Sequence, residues 1–160
     1  MTLQEYNRAV DEFSDRIYRY ILKNINDEER AKDIVQDSYE KLWRNITVLE
    51  YKKVKAWLFS TSYNTMIDII RKEKRMVRTD DYYEPEVESE AYSDLNEVLH
   101  NCLEKLPDNY KSVLLLRDYE GYSYIEISKI TGQTEAQVKT NIYRGRMAMR
   151  KMIGNKALVV

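Results

Sequence analysis

The 160-residue chain is poor in the residues that most often carry chemistry: it has one cysteine, Cys102, one histidine, His100, two prolines and four glycines. A single cysteine excludes an intrachain disulfide, and one Cys with one His cannot make a four-ligand zinc site of those residues. Nor do Cys102 and His100 suit a nucleophile–base pair, because helical positions two apart point to different faces. Their nearness is incidental, and neither an enzyme nor a cofactor is expected. No apolar run approaches the roughly 18 to 20 residues that span a bilayer, and the opening MTLQEYNRAVDEF lacks the apolar core of a signal peptide. A cytoplasmic location, with no membrane insertion, is therefore expected.

With 43% hydrophobic and 33% charged residues, the composition suits a globular protein of one ordinary core or two small ones. The formal net charge of −1 hides an uneven distribution. Residues 1–75 carry 15 basic and 13 acidic side chains, residues 76–94 carry 1 and 7, and residues 95–160 carry 10 and 7. Two mildly basic ends thus flank a middle of net charge −6, and each end can face phosphate. The middle, MVRTDDYYEPEVESEAYSD, lacks helical periodicity, contains Pro85 and repels itself, so it reads as an acidic flexible linker. Its plainest role is a solvated tether; screening of the basic surfaces is the alternative.

Hydrophobic spacing predicts an all-α fold. Before the linker, helices are expected over about 3–24, opened by a Thr2/Glu5 capping box, 27–45 and 54–75. In the second, Ala31, Ile34, Val35, Leu42 and Trp43 form a predicted buried stripe and leave Asp33, Gln36, Asp37 and Glu40 on a polar face. Spacing alone suggests no more for that face than a solvated surface. In the third, Trp57, Leu58, Ile69 and Ile70 supply core contacts, while Asn64, Asp68, Arg71 and Arg75 share a face beside Lys72 and Lys74. Phe59 and Tyr63 suit stacking against unpaired bases or, equally, core packing. The preceding loop, 47–53, sets Leu49 and Tyr51 next to Lys52 and Lys53, where they can line a site for an extruded base or pack on the surface.

After the linker, Leu95, Val98, Leu99, Cys102 and Leu106 make a stripe ending at Pro107, and Asp108 is placed to cap a helix over 109–119 that stops at Gly121. The segment 121–146, GYSYIEISKITGQTEAQVKTNIYRGR, then reads as a helix-turn-helix. Ser123/Glu126 and Thr134/Gln137 have capping-box spacing, Gly132 supplies the turn, and Ile127, Ile130, Val138 and Ile142 hold the helices together. Lys139, Thr140, Tyr143 and Arg144 remain outside, facing DNA. The tail beyond Gly154 carries no assignment.

DIVQDSYEKLW (33–43), KAWLFSTSYNTMIDIIRKEKR (55–75) and LEKLPDNYKSVLLLRDYEGYSYIEISKI (103–130) together resemble the second and fourth conserved regions of bacterial RNA polymerase sigma factors, specifically the small extracytoplasmic-function group. Both regions, in this order across an acidic linker, are far more specific than a helix-turn-helix alone. The resemblance implies region 2 over 1–75, a linker over 76–94, region 4 over 95–154 and a tail over 155–160. It implies that Asp33, Gln36, Asp37 and Glu40 dock on the clamp helices of the largest polymerase subunit. It implies that Leu49, Tyr51, Lys52, Lys53, Tyr63, Asn64, Asp68, Arg71 and Arg75 engage the minus-ten element as it melts. Lys139, Thr140, Tyr143 and Arg144 fall at positions that read the minus-thirty-five element, with Arg146 and Arg150 nearer phosphates. Core RNA polymerase, through its clamp helices and β flap, promoter DNA and an anti-sigma factor that can itself be membrane-bound are the implied partners. Thr131 and Gln133 depart from the family by standing in the turn where apolar residues are usual. The rival reading is a helix-turn-helix regulator that binds duplex DNA and never enters polymerase.

Overall fold

The computed structural model describes residues 1–77 and 95–157, and every element among them is helical. In chain order these are α1 (Leu3–Ile25), α2 (Glu28–Arg44), α3 (Tyr51–Val77), α4 (Leu95–Glu104), α5 (Asp108–Leu114), a π-helical segment (Leu115–Tyr119), α6 (Tyr124–Thr131) and α7 (Glu135–Ala157). The expected linker, apart from Met76 and Val77 at the end of α3, lies outside the described residues.

Local chemistry sets most of the helix ends. Thr2 and Glu5 exchange the reciprocal bonds of a capping box at the start of α1, and Asp27 accepts from the Arg30 amide at the start of α2. α1 ends on Asn26 in the left-handed region, φ 53°, where its amide reaches the Leu22 carbonyl. Pro107, rather than Asp108, occupies the cap position of α5, with no side-chain cap bond. Asp108 is already helical and instead meets Lys74 at 3.5 Å.

The first three helices pack as a bundle around Ile17, Tyr20 and Ile21 of α1, Ala31, Ile34 and Leu42 of α2, and Val54, Leu58 and Met66 of α3. Each of the Ile, Leu, Val and Met side chains among these, fully buried, contributes roughly 1.5–3 kcal/mol. Ser38 and Ser62 tolerate full burial by donating to the carbonyls of Ile34 and Leu58, four residues back. The predicted stripe of α2 needs correction at its end: Val35 is half-buried and Trp43 is 52% exposed. Ala31, Ile34, Ser38 and Leu42 hold the inward direction, and Trp43, one residue beyond Leu42, turns out about 100° from it to lean on the Tyr6 ring edge at 5.2 Å.

In the second half, α5 is the central element. Six consecutive residues, Lys111 to Leu116, are buried, because α5 is covered by α7 on one side and by α1 on another, and the π turn packs against α6. The π segment, which closes with the Glu120 amide on the Leu115 carbonyl, is part of what the sequence presented as one uninterrupted helix. Gly121, φ 74°, ends it as expected. Leu95, at the edge of the α4 stripe, is 67% exposed.

The two halves also pack on each other, mainly where α6 lies on α3. Phe59, offered by spacing as a base-stacking surface, is fully buried between Tyr20 at 5.6 Å and Tyr122 at 5.4 Å. Tyr63 is buried as well, at 6% exposure. Sequence spacing within α3 could not reveal this covering, since it comes from residues some sixty positions later.

Two stability predictions follow from this packing. Burial raises the phenols of Tyr20, Tyr39, Tyr63 and Tyr122 above the ordinary value of 10.0. The folded chain therefore keeps protons that the unfolded chain loses, and the stabilisation is present below pH 10 and lost as pH rises through and beyond it. Lys23, Lys55 and Lys111, each lowered from 10.5 by burial, act with the opposite sign, but they are three groups against six once Tyr6 and Tyr51, also raised, are counted. The thermal midpoint followed by circular dichroism should hold to about pH 9 and fall steeply above about pH 10, together with the rise of phenolate absorbance. Second, Gly132 sits at φ 75° with open space around it, so Gly132→Ala meets only backbone strain. It should lower stability in urea by about 1–2 kcal/mol without changing helix content.

Candidate nucleic-acid interface

The helix-turn-helix is built as its sequence predicts. Ser123 and Glu126 cap α6 reciprocally, and Thr134 and Gln137 do the same ahead of α7, with the Gln137 amide donating to Thr134 Oγ1 at 3.1 Å. Gly132 makes the left-handed turn between them, and Ile127, Ile130, Val138 and Ile142 are buried where the helices meet. The unusual polar turn is held by hydrogen bonds in place of apolar packing. Ser128 Oγ donates to the Gln133 carbonyl at 2.6 Å, the Gln133 amide donates to Thr131 Oγ1 at 3.3 Å, and Asn141 Nδ2 donates to Gln133 Oε1 at 3.1 Å.

That construction leaves Lys139, Thr140, Tyr143 and Arg144 exposed on α7, Tyr143 by 66%. Lys139 is only lightly engaged, 3.5 Å from Glu135 and 5.7 Å from the Tyr124 ring centre. Arg146 differs, because both its Nη2 and Nε reach Asp118, at 2.6 and 3.4 Å. With Arg150 it borders an open groove whose apolar lining includes Leu99, Leu103, Tyr119 and Met149. Arg146 is thus held at the groove, and Arg150 beside it.

On α3, Asn64, Asp68, Arg71 and Arg75 are all exposed, as their intervals of four, three and four require. Tyr63 does not join them, being turned into the contact with the second half. The loop before α3 is shorter than expected, because Tyr51, Lys52 and Lys53 already belong to the helix. Leu49 is half-buried, and Tyr51 is held against α1: its hydroxyl donates to Glu12 Oε2 at 2.7 Å, and Arg8 lies 4.8 Å over its ring. That hydrogen bond is the largest cause lowering the Glu12 carboxyl. Lys52 and Lys53 remain exposed.

On α2, Asp33, Gln36 and Glu40 are exposed, and Asp37 is half-buried with Lys41 at 2.9 Å. Sequence reasoning missed a member of this face. Trp43 stands three residues from Glu40 and seven from Gln36, so helical arithmetic places it there as readily as in the core, and its exposure decides the matter. Among the described residues no helix is long and apolar enough to cross a membrane, and no cluster of His, Cys, Asp and Glu suits a metal ion.

Comparison with known proteins accounts for both halves. Residues 9–76 match the family model for sigma-70 region 2, and residues 96–149 match that for sigma-70 region 4. The chain is 30% identical over 158 residues to the ECF RNA polymerase sigma factor SigM of Bacillus subtilis, covering 95% of each protein. It is 31% identical over 146 residues to the sigma factor SigV of the same organism, covering 89% of this chain and 87% of that one. Among solved structures, the fold is similar to that of the sigma factor RpoE from Bartonella quintana, determined in complex with the anti-sigma factor NepR. There the TM-score is 0.78 at 20% identity, over 95% of this chain and 98% of that one. A regulator that never enters polymerase has no use for a region 2, and that rival reading falls. The chain belongs to the extracytoplasmic-function group of the sigma-70 family, the alternative sigma factors that bind core RNA polymerase and direct promoter-specific transcription initiation.

Proposed function

We propose that the work of initiation is divided among three exposed helix faces. Asp33, Gln36, Asp37 and Glu40 of α2, with Trp43 as an aromatic anchor, dock on the polymerase clamp helices; Asn64, Asp68, Arg71 and Arg75 of α3, with Lys52, Lys53 and the neighbouring Leu49 and Tyr51, engage the minus-ten element. Lys139, Thr140, Tyr143 and Arg144 of α7 read the minus-thirty-five element, with Arg146 and Arg150 nearer its phosphates, and the groove beside them receives the β flap. Residues 1–75 and 95–154 are the corresponding functional units. The observation that carries this division is exposure: each set presents polar or basic groups to solvent from a helix whose opposite side is fixed in the core. Half-exposed Trp43 suits the centre of a docking patch, where aromatic residues contribute most.

The protein acts by binding and catalyses no covalent step. Extruding a base costs a few kcal/mol, and stacking at about 1–3 kcal/mol per base offsets it, so melting needs neither a cofactor nor ATP. Its place of work is the cytoplasm, with the polymerase. The anti-sigma factor bound to the Bartonella relative supports a protein inhibitor of this chain as well.

In vitro transcription with bacterial core polymerase and a promoter library tests this division. Wild type should initiate downstream of a shared two-part motif. Asp37→Arg should abolish initiation while lowering the thermal midpoint by no more than about 2–4 °C, the cost of losing the Lys41 pair and setting two cations one turn apart. Arg144→Ala should lose about 1–3 kcal/mol of discrimination at one base pair of the upstream element, whereas Arg150→Ala should weaken all promoters alike. Normal initiation by Asp37→Arg would remove α2 from the docking role.

A further inference from the structure

The turn between α2 and α3, which the proposed division gives to the minus-ten site, is shaped by its own bonds but not placed by them. The amides of Ile46, Val48, Leu49 and Lys53 reach carbonyls only three or four residues back, at Trp43, Asn45 and Glu50. Placement comes from α1 and the residues before it. Ahead of the turn, Tyr6 meets Trp43 edge-on at 5.2 Å, and the Met1 amine donates to the Ile46 carbonyl at 2.9 Å. Within it, half-buried Leu49 packs on the core. Beyond it, the Tyr51 hydroxyl donates to Glu12 Oε2 at 2.7 Å. Glu12 Oε1 accepts from Arg8 Nε at 2.8 Å, one turn back on α1, and the Arg8 guanidinium lies 4.8 Å over the Tyr51 ring with Phe13 beside it at 6.4 Å.

Two features separate this cluster from an ordinary surface ion pair. Arg8 and Glu12 by themselves would match Arg19 and Asp15, also four apart on α1 and 3.1 Å from one another. Only the first pair is joined by a hydroxyl 39 positions along the chain. The second feature is the ring: a face covered by a guanidinium is closed to a base, so Tyr51 is better placed to hold than to stack. It heads α3, with Leu49 two residues before it and Lys52 and Lys53 directly after, and its bond to Glu12 therefore sets where those three stand. From Tyr6 to Glu12, α1 runs about 9 Å, a rigid rod gripping the turn on both sides.

We propose that Glu12 is a positioning residue of the minus-ten site: by holding Tyr51, with Arg8 orienting its carboxylate, it fixes the turn in the shape that receives an extruded base. This rests on the reading of that turn and of α3 as the minus-ten face. The turn is ordered when the protein folds, so base capture does not carry that entropic cost.

The test uses holoenzyme assembled from core polymerase and the full chain, with two labelled single-stranded DNA probes, one carrying the minus-ten motif found in the promoter library and one of scrambled sequence. Glu12→Ala and Tyr51→Phe should each lower the preference for the motif about three- to tenfold, and the double variant no further, because both remove the same bond. Glu12→Gln, which keeps an acceptor for the Tyr51 hydroxyl, should retain the preference. For both Glu12 variants the helix content, the affinity for core polymerase and the salt dependence of DNA binding should match wild type, since the side chain is 41% exposed and no phosphate contact is lost. An unchanged preference, losses that add, a changed salt dependence, or a loss with Glu12→Gln as large as with Glu12→Ala would overturn the assignment. Asn64→Ala in the same assay separates the two levels: if it lowers the preference and Glu12→Ala does not, the positioning role alone fails, and if neither does, the reading of α3 falls with it.

Discussion

The fold depends on one constraint: α3 must be dry around part of its circumference and wet around the rest. Its first half carries Val54, Leu58, Phe59 and Met66 into contact with α1, α2 and the second half of the chain. Its last two turns carry Arg71, Lys72, Lys74 and Arg75 into solvent. Apolar burial fixes the helix at one end and so aims the charged end, which has little hydrophobic anchorage of its own. What steadies that end is a pair of ion contacts, Arg30 with Glu73 and Lys74 with Asp108. All four side chains are at least a third exposed, so each pair contributes at most about 1 kcal/mol, and the basic end stays adaptable. If α3 meets DNA as proposed, it gains from being rigid at its root and loosely held at its tip.

The helix-turn-helix meets the same demand by different means. Its buried surface is four small aliphatic contacts, and its turn is closed by Ser128, Thr131, Gln133 and Asn141 through hydrogen bonds. Apolar turn residues fix two helices by filling space; these fix them by direction, since each bond tolerates little angular error. The angle between α6 and α7, and so the presentation of Tyr143 and Arg144, is set by polar groups that are themselves only partly shielded from water.

Much of this was legible in the sequence because it is local. Capping boxes at Thr2, Ser123 and Thr134, the left-handed glycine at 132 and the stop at Gly121 each follow from residues within one turn of one another. The exposed faces of α2, α3 and α7 follow from helical spacing, although their roles came from resemblance and not from spacing. What failed was everything decided at a distance. Trp43 reads as core because it follows Leu42, yet the inward direction of α2 is set by Ile34, Ser38 and Leu42, and Trp43 falls outside it. Spacing left Phe59 and Tyr63 open between base stacking and core packing; Tyr122, which covers Phe59, belongs to the other half of the chain. The π turn at Leu115–Tyr119 leaves no mark in a run of leucines that fits an α-helix equally well.

The contact between the halves sets apolar burial against polar cost. Burying Phe59 and Tyr122 against each other contributes roughly 1.5–3 kcal/mol for each ring. Against this, an unpaired buried hydroxyl such as that of Tyr122 costs about 1–3 kcal/mol. Burial also lowers the proton affinity of Lys111, so keeping its charge inside works against closure even with the α1 terminus to cap. The two ends of the chain, +2 and +3 by formal charge, add a weak mutual repulsion. An apolar seam of the same area would hold more tightly and release less readily.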